Sequence, residues 1–191
     1  NDYKGIVAIK STVECGFTQS AIDQFKNLTL CFVPEFLRER CAMDDFISNH
    51  NLLAVGTHDK FVFDKIVEAH GHYPKDTARL KPTEAEILKY YNNVFAAYKI
   101  IFANIMSEVC GKLNCDYTTV KDAFVKFGRC KDTYLDVNEN LKGYGGMCLP
   151  KDVKAMTKLL EKLDIDFDTF KSIDSDNSKL KTTVFNGMRK Q

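Results

Sequence analysis

The sequence predicts two architectures in series: the closing part of a doubly wound parallel sheet over residues 1–80, then a helical domain over 81–191. Three observations predict it. Short apolar runs at residues 6–9, 30–33 and 52–55 alternate with segments of helical or loop character, as parallel strands joined by crossovers do. From Thr83 onward apolar residues recur at helical spacing as far as residue 113. Beyond that, a glycine stop at Gly128 and a proline start at Pro150 punctuate two shorter helical runs.

Each element has its own local reason. Residues 6–9 form the first strand and 18–26 the first helical segment. After the third apolar run, residues 59–69 carry apolar positions at helical spacing, and Gly71 closes that helix. Thr83-Glu84-Ala85-Glu86 spells a capping box, with Thr83 and Glu86 satisfying each other's backbone N–H groups. An apolar stripe follows at Ile87, Tyr91, Val94, Tyr98, Ile101 and Ile105, widened by Phe95, Phe102, Met106 and Val109. A face that wide exceeds what one core needs, so the helix over 83–113 is expected to form a homodimer interface. Asp116 or Thr118 caps a helix ending at Gly128, and a helix runs over 150–163. The segment 167–189 is expected to be helical, with an interruption at 175–178.

Composition narrows the function classes. At 191 residues and 45% hydrophobic, the chain can bury one good core or two small ones. Its 27 basic and 26 acidic residues are spread along the whole length, which argues against nucleic acid or an anionic membrane as partner. Seven cysteines stand at irregular positions with no C-x-x-C pair and no histidine spacing suited to zinc, so no metal is expected, and free thiols point to the cytoplasm. No apolar run is expected to approach the length of a membrane span, and the first residues are no signal peptide. The chain opens almost directly on its first strand, which is read as the continuation of a larger protein.

The chemistry concentrates in Gly143-Tyr144-Gly145-Gly146-Met147-Cys148-Leu149-Pro150-Lys151-Asp152. Pro150 at a first helical position would set Cys148 just outside a helix, where free N–H groups and the macrodipole favour a thiolate. The glycines permit positive φ and let the backbone approach a ligand or a developing oxyanion. One helical turn puts the Asp152 carboxylate on the cysteine's side of the loop, with Lys151 adding a cation.

Four motifs in order, Lys10-Ser11-Thr12-Val13, Pro34-Glu35-Phe36-Leu37-Arg38-Glu39, Glu86-Ile87-Leu88-Lys89-Tyr90 through Asn93, and the glycine-cysteine loop, resemble the UDP-glucose/GDP-mannose dehydrogenase family. The resemblance implies a Rossmann-like cofactor domain, a helical central dimerisation domain and NAD-dependent oxidation of the C6 hydroxyl of a UDP-sugar, UDP-glucose giving UDP-glucuronate. It implies Cys148 as the nucleophile that forms a thiohemiacetal and then a thioester. Lys89 and Asp152 match the pair that positions water and stabilises oxyanions, with Asn93 as donor on the same helix face as Lys89. Glu35 matches the acid/base of the thioester step, and Thr12 a residue that orders water and meets the cofactor. Glu39 and Lys151 are implied beside the cofactor, and Phe36, Leu37, Tyr144 and Gly145, with Lys89 and Asn93, beside the substrate. The G-x-G-x-x-G dinucleotide fingerprint is absent, so the pyrophosphate cradle is not in this sequence. Two other readings stay open: a dimerisation scaffold without activity, and a sister enzyme acting on GDP-mannose or a UDP-N-acetyl-hexosamine.

Overall fold

The computed structural model describes residues 4–38 and 41–180. The chain divides into two compact units, Asn1–Tyr91 and Asn92–Gln191. Residues 1–3, 39–40 and 181–191 lie outside the described residues, among them Glu39 and the last part, 181–189, of the expected final helical segment.

The first unit is a four-stranded sheet in the order β1 (Ile6–Ile9), β2 (Thr29–Phe32), β3 (Leu53–Gly56), β4 (Thr77–Leu80). β1 and β2 run parallel, with Ile6 opposite Thr29 and Ile9 opposite Phe32, joined through helix α1 (Phe17–Gln24). β3 and β4 also run parallel, Leu53 opposite Thr77, joined through α3 (Lys60–His70). These are two βαβ units; the alternating pattern predicts the first and the opening strand and helix of the second. Between them stands only α2 (Ala42–Ile47), and β2 meets β3 through the single antiparallel pair Phe32 and Gly56. The sheet is therefore mixed, which corrects the expectation of uniformly parallel strands: a helix of six residues rises only about 9 Å and makes no full crossover.

The core of this unit is Cys31, Val33, Leu53, Val55 and Val62, the apolar runs closing on one face of α3. Asp59 caps α3 by accepting the Phe61 N–H at 2.7 Å, and Gly71 ends it at φ 61°. β4 escapes the sequence reading because Thr77-Ala78-Arg79-Leu80 alternates exposed and half-buried positions at the sheet edge instead of forming an apolar run.

Helix α4 (Pro82–Lys112) begins in the first unit and ends in the second. Its start is held differently from the expected capping box. The Lys81 N–H donates to Glu84 at 2.8 Å, so the helix begins at Pro82 and Thr83 is already inside it. A Cβ on Gly56 would come within 2.8 Å of the Ala85 Cβ, so only glycine lets β3 end this close to α4.

The buried stripe also differs from the expected one. Tyr90, Val94, Ala97 and Ile101 are buried, whereas Ile87, Tyr91, Tyr98 and Ile105 are exposed together with Phe95, Phe102 and Val109. Both faces are apolar, so periodicity finds the helix without choosing its inner side. By length and composition α4 would pass for a membrane span, which corrects the expectation that no segment does; Glu86, Asn93 and Asn104 nevertheless lie on its buried side.

In the second unit, Val94, Ala97 and Ile101 of α4 pack with Tyr144, Val153 and Ile173. α5 (Tyr117–Lys126) is capped by Asp116, which accepts from the N–H groups of Thr118 and Thr119, settling the choice between Asp116 and Thr118. α6 (Leu149–Lys162) follows the glycine loop, and α7 (Thr169–Lys179) runs unbroken through 175–178, correcting the expected interruption. The Ser178 hydroxyl donates back to the Ser175 carbonyl at 2.6 Å, so that serine bonds its own helix instead of breaking it.

Candidate functional site

In the first unit the candidate residues gather on the loops that follow the carboxyl ends of β1 and β2, where parallel sheets place their ligands. The first loop carries Thr12, half-buried. The second opens at Pro34, whose fixed φ stiffens the exit from β2, and carries Glu35, Phe36 and Leu37, all half-buried. Lys89, on α4, donates its ammonium to the Glu35 carbonyl oxygen and lies 5.6 Å from the centre of the Phe36 ring, within cation–π range. The Glu35 carboxylate is 3.1 Å from the Lys10 ammonium and accepts the Phe36 N–H at 3.1 Å. The structure thus brings together Glu35, Phe36 and Lys89, and adds Lys10, which stands in the first sequence motif without an assigned role.

Two further side chains of α4 fasten the Thr12 loop. The Tyr90 hydroxyl donates to the Val13 carbonyl at 3.0 Å. Glu86, expected to cap its own helix, is completely buried and accepts the N–H groups of Gly16 and Thr18 at 2.5 and 2.8 Å, closing the N-terminus of α1. Burial first, and then the Glu86 charge, push the neighbouring Cys15 thiol up to about 11. The far end of the Glu35 loop is tied by Arg38, whose backbone N–H and guanidinium make three contacts of 2.7 to 2.9 Å with buried Asp45, holding that carboxyl well below the usual range.

In the second unit the glycine loop delivers Cys148 as the N-cap residue of α6, with its side chain exposed. Pro150 occupies the second helical position, one later than expected. The Asp152 N–H donates to the Cys148 carbonyl at 3.0 Å, the first bond of the helix. The Asp152 carboxylate is fully buried and accepts the Asn93 amide at 2.6 Å and the Lys151 ammonium at 2.5 Å. Asn93 is itself oriented, because its oxygen accepts the Asn92 amide at 3.0 Å. Asp152 thus meets Asn93 and Lys151. A buried carboxylate with a cation and an amide on its oxygens is a fixed acceptor, suited to hold a polar atom near an exposed thiol.

Tyr144 serves a different end from the expected one. Its ring is 1% exposed and packs with Val153 and Ile173, while Asn177 takes both its backbone N–H and its carbonyl. Gly145 beside it is half-buried, and the positive φ values fall at Gly143 and Gly146.

Whether the first unit could hold a dinucleotide pyrophosphate is decided by its helix N-termini. Glu86 takes two amides at the start of α1, Asp59 takes the Phe61 amide at the start of α3, and α2 places Asp44 and Asp45 in its first turn. The described residues therefore do not fit that group. Among them, too, no cluster of three His, Cys, Asp or Glu side chains is placed to hold a metal.

Parallel strands with polar loops at their carboxyl ends, followed by a helical domain that presents a cysteine at a helix start, define a class of α/β protein with its chemistry on loops. Residues 83–179 match the UDP-glucose/GDP-mannose dehydrogenase family, central domain, and the chain belongs to that family. It is 29% identical over 179 residues to a UDP-glucose 6-dehydrogenase of Rickettsia prowazekii, covering 90% of this chain and 40% of the relative. It is 31% identical over 149 residues to a GDP-mannose 6-dehydrogenase of Pseudomonas aeruginosa, covering 76% of this chain and 33% of that one. The structure of a UDP-glucose dehydrogenase from Pyrobaculum islandicum superposes with a TM-score of 0.80 at 29% identity, over 91% of this chain and 41% of that one. The chain spans about 40% of the length of the curated relatives it matches.

Proposed function

We propose that this chain supplies the sulfur chemistry of an enzyme that oxidises C6 of UDP-glucose to the carboxylate of UDP-glucuronate, with NAD as electron acceptor. The observation that carries this reading is the exposed Cys148 at the N-cap of α6, one turn before a buried Asp152 held by Asn93. Family membership supports it, and so do relatives whose names specify that activity.

The steps belonging to these residues are an addition and a hydrolysis. The Cys148 sulfur adds to C6 of an aldehyde: the S–C bond forms, the carbonyl pair moves to oxygen, and that oxygen takes a proton, giving a thiohemiacetal. At the thioester stage water adds to the acyl carbon, the C–S bond breaks, one water proton returns to sulfur, and the acid releases the other. Asp152 and Asn93, with Lys89, position the water and the developing oxyanion, Glu35 exchanges the protons, and Thr12 orders the water. Phe36, Leu37 and Gly145 line the sugar's approach. The cofactor's pyrophosphate belongs to residues other than those described, and the hydride transfers are outside what these side chains do.

The exposed apolar face of α4, Phe95, Tyr98, Phe102, Ile105 and Val109, is proposed to pair with a second copy, with a groove of about 380 Å³ between α4 and α7 beside it. The seven cysteines are free, the state a reducing cytoplasm maintains, and that is the compartment proposed.

The test is turnover by the full-length protein of UDP-glucose and NAD to UDP-glucuronate, followed by mass spectrometry, with GDP-mannose and a UDP-N-acetyl-hexosamine in parallel. Cys148→Ser is expected to abolish acid formation, by at least about a thousandfold. Undiminished acid formation by the variant would remove sulfur from the mechanism. Faster turnover of another sugar nucleotide would move the substrate assignment.

A further inference from the structure

The Cys148 loop is fastened from behind by a residue that no motif singles out. Asn177 lies on α7, 33 positions from Tyr144. Its side-chain oxygen accepts the Tyr144 N–H at 2.8 Å, and its amide donates to the Tyr144 carbonyl at 3.0 Å. Both backbone polar groups of one loop residue are thus satisfied by one side chain, as a neighbouring strand would satisfy them. The arrangement has no slack. Gly143 takes φ 81°, and a Cβ there would stand 2.5 Å from the Asn177 oxygen and 2.9 Å from the Leu180 Cδ1. Glycine is required twice at that position, by its conformation and by the closeness of Asn177. Tyr144 then drives its ring between Val153 and Ile173, and its hydroxyl reaches Asp174, one turn before Asn177, at 3.5 Å.

Three residues separate Tyr144 from Cys148, and two of them are glycines. Such a tether transmits position only if its far end is fixed, and a glycine-rich stretch left unpinned samples many backbone states. On the other side of Cys148 the chain enters α6, whose first turn is fixed through Asp152 and Asn93. The cysteine is held between two anchors, one of which is Asn177.

We propose that Asn177 is a positioning residue that sets the place of the Cys148 thiol by clamping Tyr144, with Gly143 as the residue that admits the clamp. Its effect on turnover rests on Cys148 being the nucleophile; its effect on the thiol does not. Misplacing a reacting atom by about 1 Å can cost about a hundredfold in rate. Losing one of two anchors is a smaller change.

The experiment compares Asn177→Ala, Asn177→Asp, Gly143→Ala and the double variant Asn177→Ala/Gly143→Ala in the full-length protein. The first readout is the rate of carboxymethylation of Cys148 relative to that of exposed Cys115, which serves as internal control. The second is kcat and KM for UDP-glucose oxidation. Asn177→Ala is expected to raise the Cys148 to Cys115 ratio at least threefold and to lower kcat about tenfold, with KM within twofold. Asn177→Asp keeps the acceptor for the Tyr144 N–H and should fall between Asn177→Ala and the parent. Because Gly143→Ala displaces the same side chain, the double variant should be no worse than the poorer single one. An unchanged thiol ratio in Asn177→Ala, or a double variant whose losses multiply, overturns the clamp. A changed ratio in a protein whose Cys148→Ser variant still turns over would keep the clamp and discard the nucleophile.

Discussion

Seven thiols of one chemical kind sit in three environments, and that difference is measurable. Cys31 lies completely buried in β2, and burial alone pushes its thiol up to about 11; Cys15 reaches about 11 through partial burial and the Glu86 charge. Cys148 and Cys115 are exposed. Alkylation with iodoacetamide at pH 8, read by mass spectrometry of peptides, is expected to label Cys148 and Cys115 first and to leave Cys15 and Cys31 untouched until the protein unfolds. Early labelling of Cys15 would mean that its loop opens. The same two residues set a pH dependence of stability. Their folded values lie above the ordinary thiol value of 9.0, so the fold favours the protonated form; that contribution is whole below pH 9 and is lost as pH rises towards 11. Thermal unfolding measured across that range should show a fall that Cys15→Ala reduces.

Among the elements, α4 closes the start of another helix, and Glu86 shows how. A buried carboxylate is costly unless hydrogen bonds replace its water, and here two amides at the start of α1 do so. Glu86→Ala would leave both amides without this acceptor, the Thr18 one buried, and is expected to destabilise the protein by about 2–4 kcal/mol. Glu86→Gln keeps one acceptor and should cost about half as much, as denaturant unfolding would show; equal costs would mean that the cavity, not the bonds, sets the loss. The sequence reader meets Glu86 as a local cap because Thr83-Glu84-Ala85-Glu86 spells one, and nothing local reveals that Pro82 has already begun the helix or that the acid serves residues 70 and 68 positions away. What was legible is what local chemistry decides: a helix opening near Asp59, a cap at Asp116 or Thr118, Gly71 at a helix end, and Cys148 just ahead of α6. The antiparallel step between β2 and β3, edge strand β4, the inner face of α4 and the Asn177 clamp depend on partners far along the chain, where spacing carries no information.

At the scale of the whole molecule, the second unit shows an apolar surface that its own core does not use. Phe95, Tyr98, Phe102, Ile105 and Val109 follow one another at intervals of three and four, so they share one face of α4, and each is exposed. A stripe from 95 to 109 is about 21 Å long at 1.5 Å per residue, and monomers rarely leave a continuous apolar patch of that kind in water. A copy related by a two-fold axis would meet it with the same stripe, since three-and-four spacing packs against itself. Phe95 and Phe102, 51% and 47% exposed, stand where an aspartate would be solvated in a monomer and desolvated in a pair. Phe95→Asp/Phe102→Asp is therefore expected to leave the far-ultraviolet circular dichroism unchanged while weakening self-association at least a hundredfold. Sedimentation velocity across a dilution series measures that shift. Should the double variant associate as tightly as the parent, the exposed stripe is not the pairing surface.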